Sequence, residues 1–154
     1  MTEFHKLSEV LTEHMNLFPK GTKVIFENSE NWTLEIEAQW NSKRINLTIK
    51  SRKSNAYTDF TTCEIKKAPF LSLVARYDNY KLSGNDSEVS NILLTSPVAL
   101  NLLKARKGSF VLHGEYLIYT CRLGRKDKKS VSNIFILIQK LNQEIDTLTD
   151  NKYL

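Results

Sequence analysis

Three histidines, two cysteines and a helix-spaced pair of glutamates are the side chains in this 154-residue sequence that first invite a chemical reading. His5 and His14 stand nine residues apart in a helix-like segment, half a turn out of phase, so they cannot share a face. His113 falls at a predicted hairpin tip, and no pair of histidines has metal-ligand spacing. Cys63 and Cys121 are 58 residues apart, with no Cys-x-x-Cys and no Cys/His cluster, too few ligands for a structural zinc site. Both lie in strand-like runs, where a free thiol behaves as a small hydrophobe, and both are expected to be reduced. Glu9 and Glu13 are four residues apart, a spacing that can bring two carboxylates together for acid/base work. Glu9 and Glu13 are read as a solvated outer helix face. Glu35 and Glu37 share a strand face, with basic residues expected opposite.

No Gly-x-Ser-x-Gly, phosphate-binding loop, His-Glu-x-x-His or dinucleotide fingerprint occurs, and the five glycines are scattered over turns and boundaries. The reading is therefore of a non-enzymatic protein: no catalytic residue, no cofactor and no metal are expected.

Two features point to binding instead. The C-terminal apolar stripe widens at Ile136 and Leu137, and the hairpin from Phe110 to Leu123 is largely apolar on both faces. Tyr116, Ile118, Ile136 and Leu137 are the residues expected to meet a protein partner or a second copy of the chain. The second feature is the run Arg122, Arg125, Lys126, Lys128 and Lys129, five cations in eight residues. With Arg52, Lys53, Lys66 and Lys67 it could hold phosphates, which makes nucleic-acid or anion binding the second reading. Trp32, Trp40 and Tyr57 could supply stacking surfaces, but their alternation points them into the core. A small-molecule pocket between sheet and helices is the third reading.

Charge and composition frame these choices. Net charge is +5 and the pI about 9.2, which permits an anionic partner without demanding one. Residues 1–42 carry a net −4, residues 43–81 a net +6 and residues 82–154 a net +3, so acidic and basic segments are expected to face each other. Apolar residues are 41% and charged residues 25%, values that exclude a collagenous or wholly disordered chain. The longest apolar run, Ile134 to Ile138, is five residues, too short for a membrane-spanning helix. The N-terminal residues lack the pattern of a secretory signal, and a cytoplasmic location is expected.

The elements that would position these residues follow from periodicity. Phe4, Leu7, Val10, Leu11, Met15 and Phe18 make a helical stripe over 3–17, which Pro19 and Gly21 end. Strands are predicted at 23–27, 32–40 and 44–50, the second alternating strictly from Trp32 to Trp40. A two-residue loop at 41–42 would pair Ala38 with Ile45, Ile36 with Leu47 and Leu34 with Ile49. On the other face Glu37 would lie diagonal to Arg44, and Glu35 to Lys50. Residues 51–56 read as a basic loop, 57–66 and 70–78 as strands, and 77–85 as a connection. Two short helices follow, capped by Asp86 or Ser87 and by Ser96 before Pro97, the second reaching Lys107. The 110–123 hairpin turns at Gly114-Glu115 and is expected to be covered on both sides. A final helix spans about 130–148. The order α-βββββ-αα-ββ-α describes a single α+β domain, 1–154, with an antiparallel sheet of five to seven strands and helices on one face.

The second half, from Ile92-Leu93-Leu94-Thr95 through Tyr116-Leu117-Ile118-Tyr119 to the final helix, resembles a layout of uncharacterised bacterial α+β domains. In these a helix ending in Leu-Leu-Thr precedes a second helix, a hairpin and a terminal helix. The whole order is more remotely similar to the α-βββ-α-ββ-α layout of type III secretion chaperones. The resemblance implies a small bacterial protein-interaction domain and transfers no functional residue.

Overall fold

The computed structural model describes residues 3–29, 31–54, 59–67 and 80–151. Among them are four helices and seven strands: α1 (Glu3–Leu17), β1 (Gly21–Asn28), β2 (Trp32–Trp40), β3 (Arg44–Lys53), β4 (Phe60–Lys67), β5 (Tyr80–Gly84), α2 (Glu88–Thr95), α3 (Pro97–Leu103), β6 (Ser109–Gly114), β7 (Tyr116–Gly124) and α4 (Lys128–Asn151). The strands form one antiparallel sheet in the order β1-β2-β3-β7-β6-β4-β5. The α+β class, the element order and the helices on one face agree with the sequence reading.

Strand parity builds the core. One row crosses all seven strands, Ile25-Ile36-Ile49-Tyr119-Phe110-Ile65-Leu82. Its five central members are at most 1% exposed and join Leu11 and Met15 of α1, Leu93 of α2, Leu102 of α3 and Val131, Phe135, Ile138, Leu141 and Ile145 of α4 in one cluster. Full burial of such side chains stabilises by roughly 1.5–3 kcal/mol each. Tyr119 reaches this interior because its hydroxyl donates to the Leu102 carbonyl at 2.6 Å. Trp32 and Trp40 are buried as expected, their indole NH groups satisfied by Asp146 and the Phe18 carbonyl.

The structure corrects the register. Observed pairs are Ala38 with Leu47, Ile36 with Ile49 and Leu34 with Ser51, two residues from the expected pairing. The loop is Ser42-Lys43, because the Asn41 side chain accepts from the Lys43 and Arg44 amides at 2.8 and 2.9 Å and closes the turn one residue later. A two-residue shift keeps every side chain on its face, so the predicted faces survive. Glu35 now stands directly opposite Lys50, with an ion pair of 3.7 Å, and Glu37 faces Thr48 rather than Arg44.

Boundaries move for identifiable reasons. β3 runs on through Ser51-Arg52-Lys53, expected as loop, because Asp146 neutralises the buried Lys53 at 3.1 Å. Tyr80–Gly84, expected as connection, is the edge strand β5, ending where Gly84 takes φ +104° against the Thr62 carbonyl. The strand predicted at 70–78 and the stacking candidate Tyr57 lie outside the described residues. α3 stops at Leu103, well short of Lys107, which itself adopts φ +60°. Ser87 caps α2 in a reciprocal pair with Ser90, and Ser96 caps α3 ahead of Pro97. Val10 and Phe18, expected on the core stripe of α1, are 43% and 50% exposed.

Candidate binding surfaces

The helices cover one side of the sheet, and no described element covers the other. On that open side the row beside the core row reads Phe26-Glu35-Lys50-Ile118-Val111-Glu64-Ser83. The described elements therefore cover on one side the hairpin expected to be covered on both. Phe110, Leu112, Leu117 and Tyr119 are buried, whereas Tyr116 is 41% exposed and Val111 and Ile118 are half-buried. The reason is geometric: all four helices pack on the inner cluster, and none reaches the outer face of β6 and β7.

The four expected interface residues do not come together. Tyr116 and Ile118 lie on the open sheet face, while Ile136 and Leu137 lie on α4, across the sheet. Ile136 is 42% exposed, and Leu137 is half-buried and packs against the core. Sequence reasoning missed Val24 and Phe26, 41% and 68% exposed on the open face of β1. Period-2 alternation over Gly21–Asn28 carried the signal, because Ile25 faces the core and its neighbours cannot. Around the apolar centre the face carries its own ion pairs: Glu35 with Lys50, Arg52 with Glu115 at 3.9 Å, and Glu64 with Lys66 at 3.7 Å.

The five expected anion-binding cations also divide. The Arg125 guanidinium donates to the Phe18 carbonyl at 2.6 Å, to the Asn41 carbonyl at 3.0 Å and to the carbonyls of Met15 and Pro19. It closes the C-terminal end of α1, where unpaired carbonyls and the helix dipole favour a cation. Arg122 donates to Asn46 Oδ1 at 3.0 Å on the open face. Lys126 and Lys129 are exposed and Lys128 is half-buried, around the start of α4. Of the additional cations, Lys53 is held by Asp146 and Arg52 by Glu115.

Lys66 and Lys67 do meet other cations. They line a cleft of about 450 Å³ with Tyr80, Lys104, Arg106 and Lys107, where β4 ends and β6 begins. A second cleft of about 650 Å³ shares Lys104, Ala105 and Arg106 and extends past Arg122 to Asp127 and Ser130. The Arg122 amide donates to the Arg106 carbonyl at 2.7 Å and fixes the 104–108 loop beside β7. A third cleft, about 230 Å³, lies at the opposite end of the sheet between Trp32 and α4. There Asp146 accepts from Trp32 Nε1 at 3.0 Å and from Asn31 at 3.3 Å while pairing with Lys53. Asn142, 4% exposed, lines it with an Oδ1 that has no hydrogen-bond partner among the described residues.

Glu9 and Glu13 are exposed on the outside of α1, His14 stacks on Phe18 at 6.2 Å and His113 is exposed beside the hairpin turn. Among the described residues no group of three or more His, Cys, Asp or Glu could hold a metal ion. Both thiols are free and buried. Burial pushes the Cys121 thiol up to about 11 and raises the Cys63 thiol and the Tyr119 phenol. No helix among the described residues is long and apolar enough to cross a membrane. No family model matches the sequence, and no curated protein or solved structure matches it.

Proposed function

We propose that the protein is a non-enzymatic interaction module that pairs with a second copy of itself through the open face of its sheet. The observation that carries this reading is a broad sheet face left bare by every described element, with Phe26, Val24 and Tyr116 exposed on it. Seven strands spaced about 4.8 Å and about 25 Å long present roughly 700 Å², close to the ~800 Å² each partner contributes to a standard interface. The charge pattern suits a second copy. The chain as a whole carries +5, which opposes self-association, yet the charges around Ile118 are paired within the face by Glu35–Lys50, Arg52–Glu115 and Glu64–Lys66. Two such sheets can stack about 10 Å apart with Val111 and Ile118 at the centre.

Sedimentation velocity over a hundredfold concentration range tests this. The wild type is expected to shift from monomer to dimer, and Ile118→Lys to stay monomeric with unchanged far-ultraviolet circular dichroism. A wild type that stays monomeric throughout, or a dimer insensitive to Ile118→Lys, removes the reading.

A further inference from the structure

We infer that the two adjoining clefts at the Lys104–Gly108 end of the sheet form a track for the phosphate backbone of a single-stranded nucleic acid. Their linings bring together Lys66, Lys67, Lys104, Arg106, Lys107 and Arg122 against two acids, Glu64 and Asp127. These cations come from β4, β7 and the α3–β6 loop, so the fold gathers what the sequence disperses. Lys104, Arg106 and Lys107 make no ion pair with any described residue.

The loop that presents them is held in a costly shape. Lys107 takes φ +60°, a left-handed conformation uncommon outside glycine. Gly108 follows, where an added Cβ would sit 2.7–2.9 Å from the carbonyls of Leu102, Leu103 and Ala105. The chain thus places glycine where space forbids a side chain and keeps lysine where the backbone favours glycine. Strain at a residue that lines a charged cleft is the kind a ligand explains.

A polymeric ligand fits better than a single phosphate. The clefts, about 450 and 650 Å³, share Lys104 and Arg106, and the second continues past Arg122, Asp127 and Ser130 to Asn133, Ile134 and Leu137 of α4, a length of groove that one phosphate would not fill. Cations along a groove with an aromatic ring, here Tyr80, match the way single strands are bound, by backbone charge and base stacking. The track shares Lys66, Glu64 and Arg122 with the open face but uses neither Tyr116 nor Ile118, so variants at those two positions separate it from the dimer.

The test is fluorescence anisotropy with a labelled 15-nucleotide single-stranded RNA, its single-stranded DNA counterpart and the matching DNA duplex, at 50 and 200 mM salt. Both single strands are expected to bind at 50 mM and, with about four phosphates engaged, to weaken about 50-fold at 200 mM. Arg106→Ala/Lys107→Gly is expected to weaken binding at least tenfold without lowering the melting temperature, since glycine relieves the backbone at 107. Tyr116→Ala is expected to bind as the wild type does. Absence of binding at 50 mM salt, binding unchanged in the double variant, or binding of the duplex as tight as the single strands would each overturn the proposal.

Discussion

The two faces of the sheet use the same strands and the same backbone, yet one is closed by the helices and the other is left bare by the described elements. Tyr116 and Tyr119 make the contrast on one strand. Three positions apart on β7, they point to opposite sides, the first 41% exposed and the second fully buried with its hydroxyl bonded to Leu102. Burial here is set by strand parity and by which face the helices occupy, not by residue type. A Tyr, an Ile and a Val are left half-wet or exposed on the outer side of the same hairpin whose inner side anchors the core. Apolar content alone therefore does not say which side of a hairpin is core.

The sharpest test of that contrast compares the two tyrosines. Tyr119→Ala is expected to destabilise by about 3–5 kcal/mol, as large-to-small core changes do, whereas Tyr116→Ala changes stability by no more than about 0.5 kcal/mol. Urea unfolding at low protein concentration reads both. Equal losses would mean that the faces are not distinct.

The inner face also carries the buried charge pair Lys53–Asp146. Asp146→Ala removes the 3.1 Å carboxylate partner of the buried Lys53 and the acceptor of the Trp32 indole, with an expected loss of about 3 kcal/mol. Lys53→Met combined with Asp146→Leu should recover most of it in the same unfolding assay.

A thiol on the inner side of β7 gives a pH signature. The folded Cys121 keeps its proton to about pH 11, while an unfolded thiol releases it near 9.0. The native state binds more protons between those values, so stability is full below about pH 9 and falls as pH rises toward 11, by about 2 kcal/mol from this group. Thermal melts of Cys121→Ala should show a shallower decline than those of the wild type across that window.

The smallest expected effect lies at the seam between α1 and β7. Arg125→Lys loses the planar fork that serves four backbone carbonyls and should cost about 1 kcal/mol, measured by urea unfolding. A neutral outcome would return Arg125 to the set of free surface cations.

What was legible in the sequence was periodicity. The strict alternation from Trp32 to Trp40 fixed the inner face of β2, and Ser96-Pro97 marked the restart between α2 and α3. What was not legible depended on distant partners. The continuation of β3 through Lys53 requires Asp146, more than ninety residues later on α4. The exact register depended on an Asn41 side chain choosing the Lys43 and Arg44 amides. Arg125 read as a ligand-binding cation because nothing local shows that α1 ends beside it. The convergence of Lys66 and Lys67 with Lys104, Arg106 and Lys107 is invisible until β4 and β6 are known to be neighbours.

Isotope-filtered nuclear Overhauser spectroscopy on a mixture of ¹³C-labelled and unlabelled chains tests the role of the open face most directly. Contacts between copies are expected from the Ile118 and Val111 methyls and the Tyr116 ring. Contacts arising instead from Ile136 and Leu137, or none between copies at millimolar concentration, would contradict it.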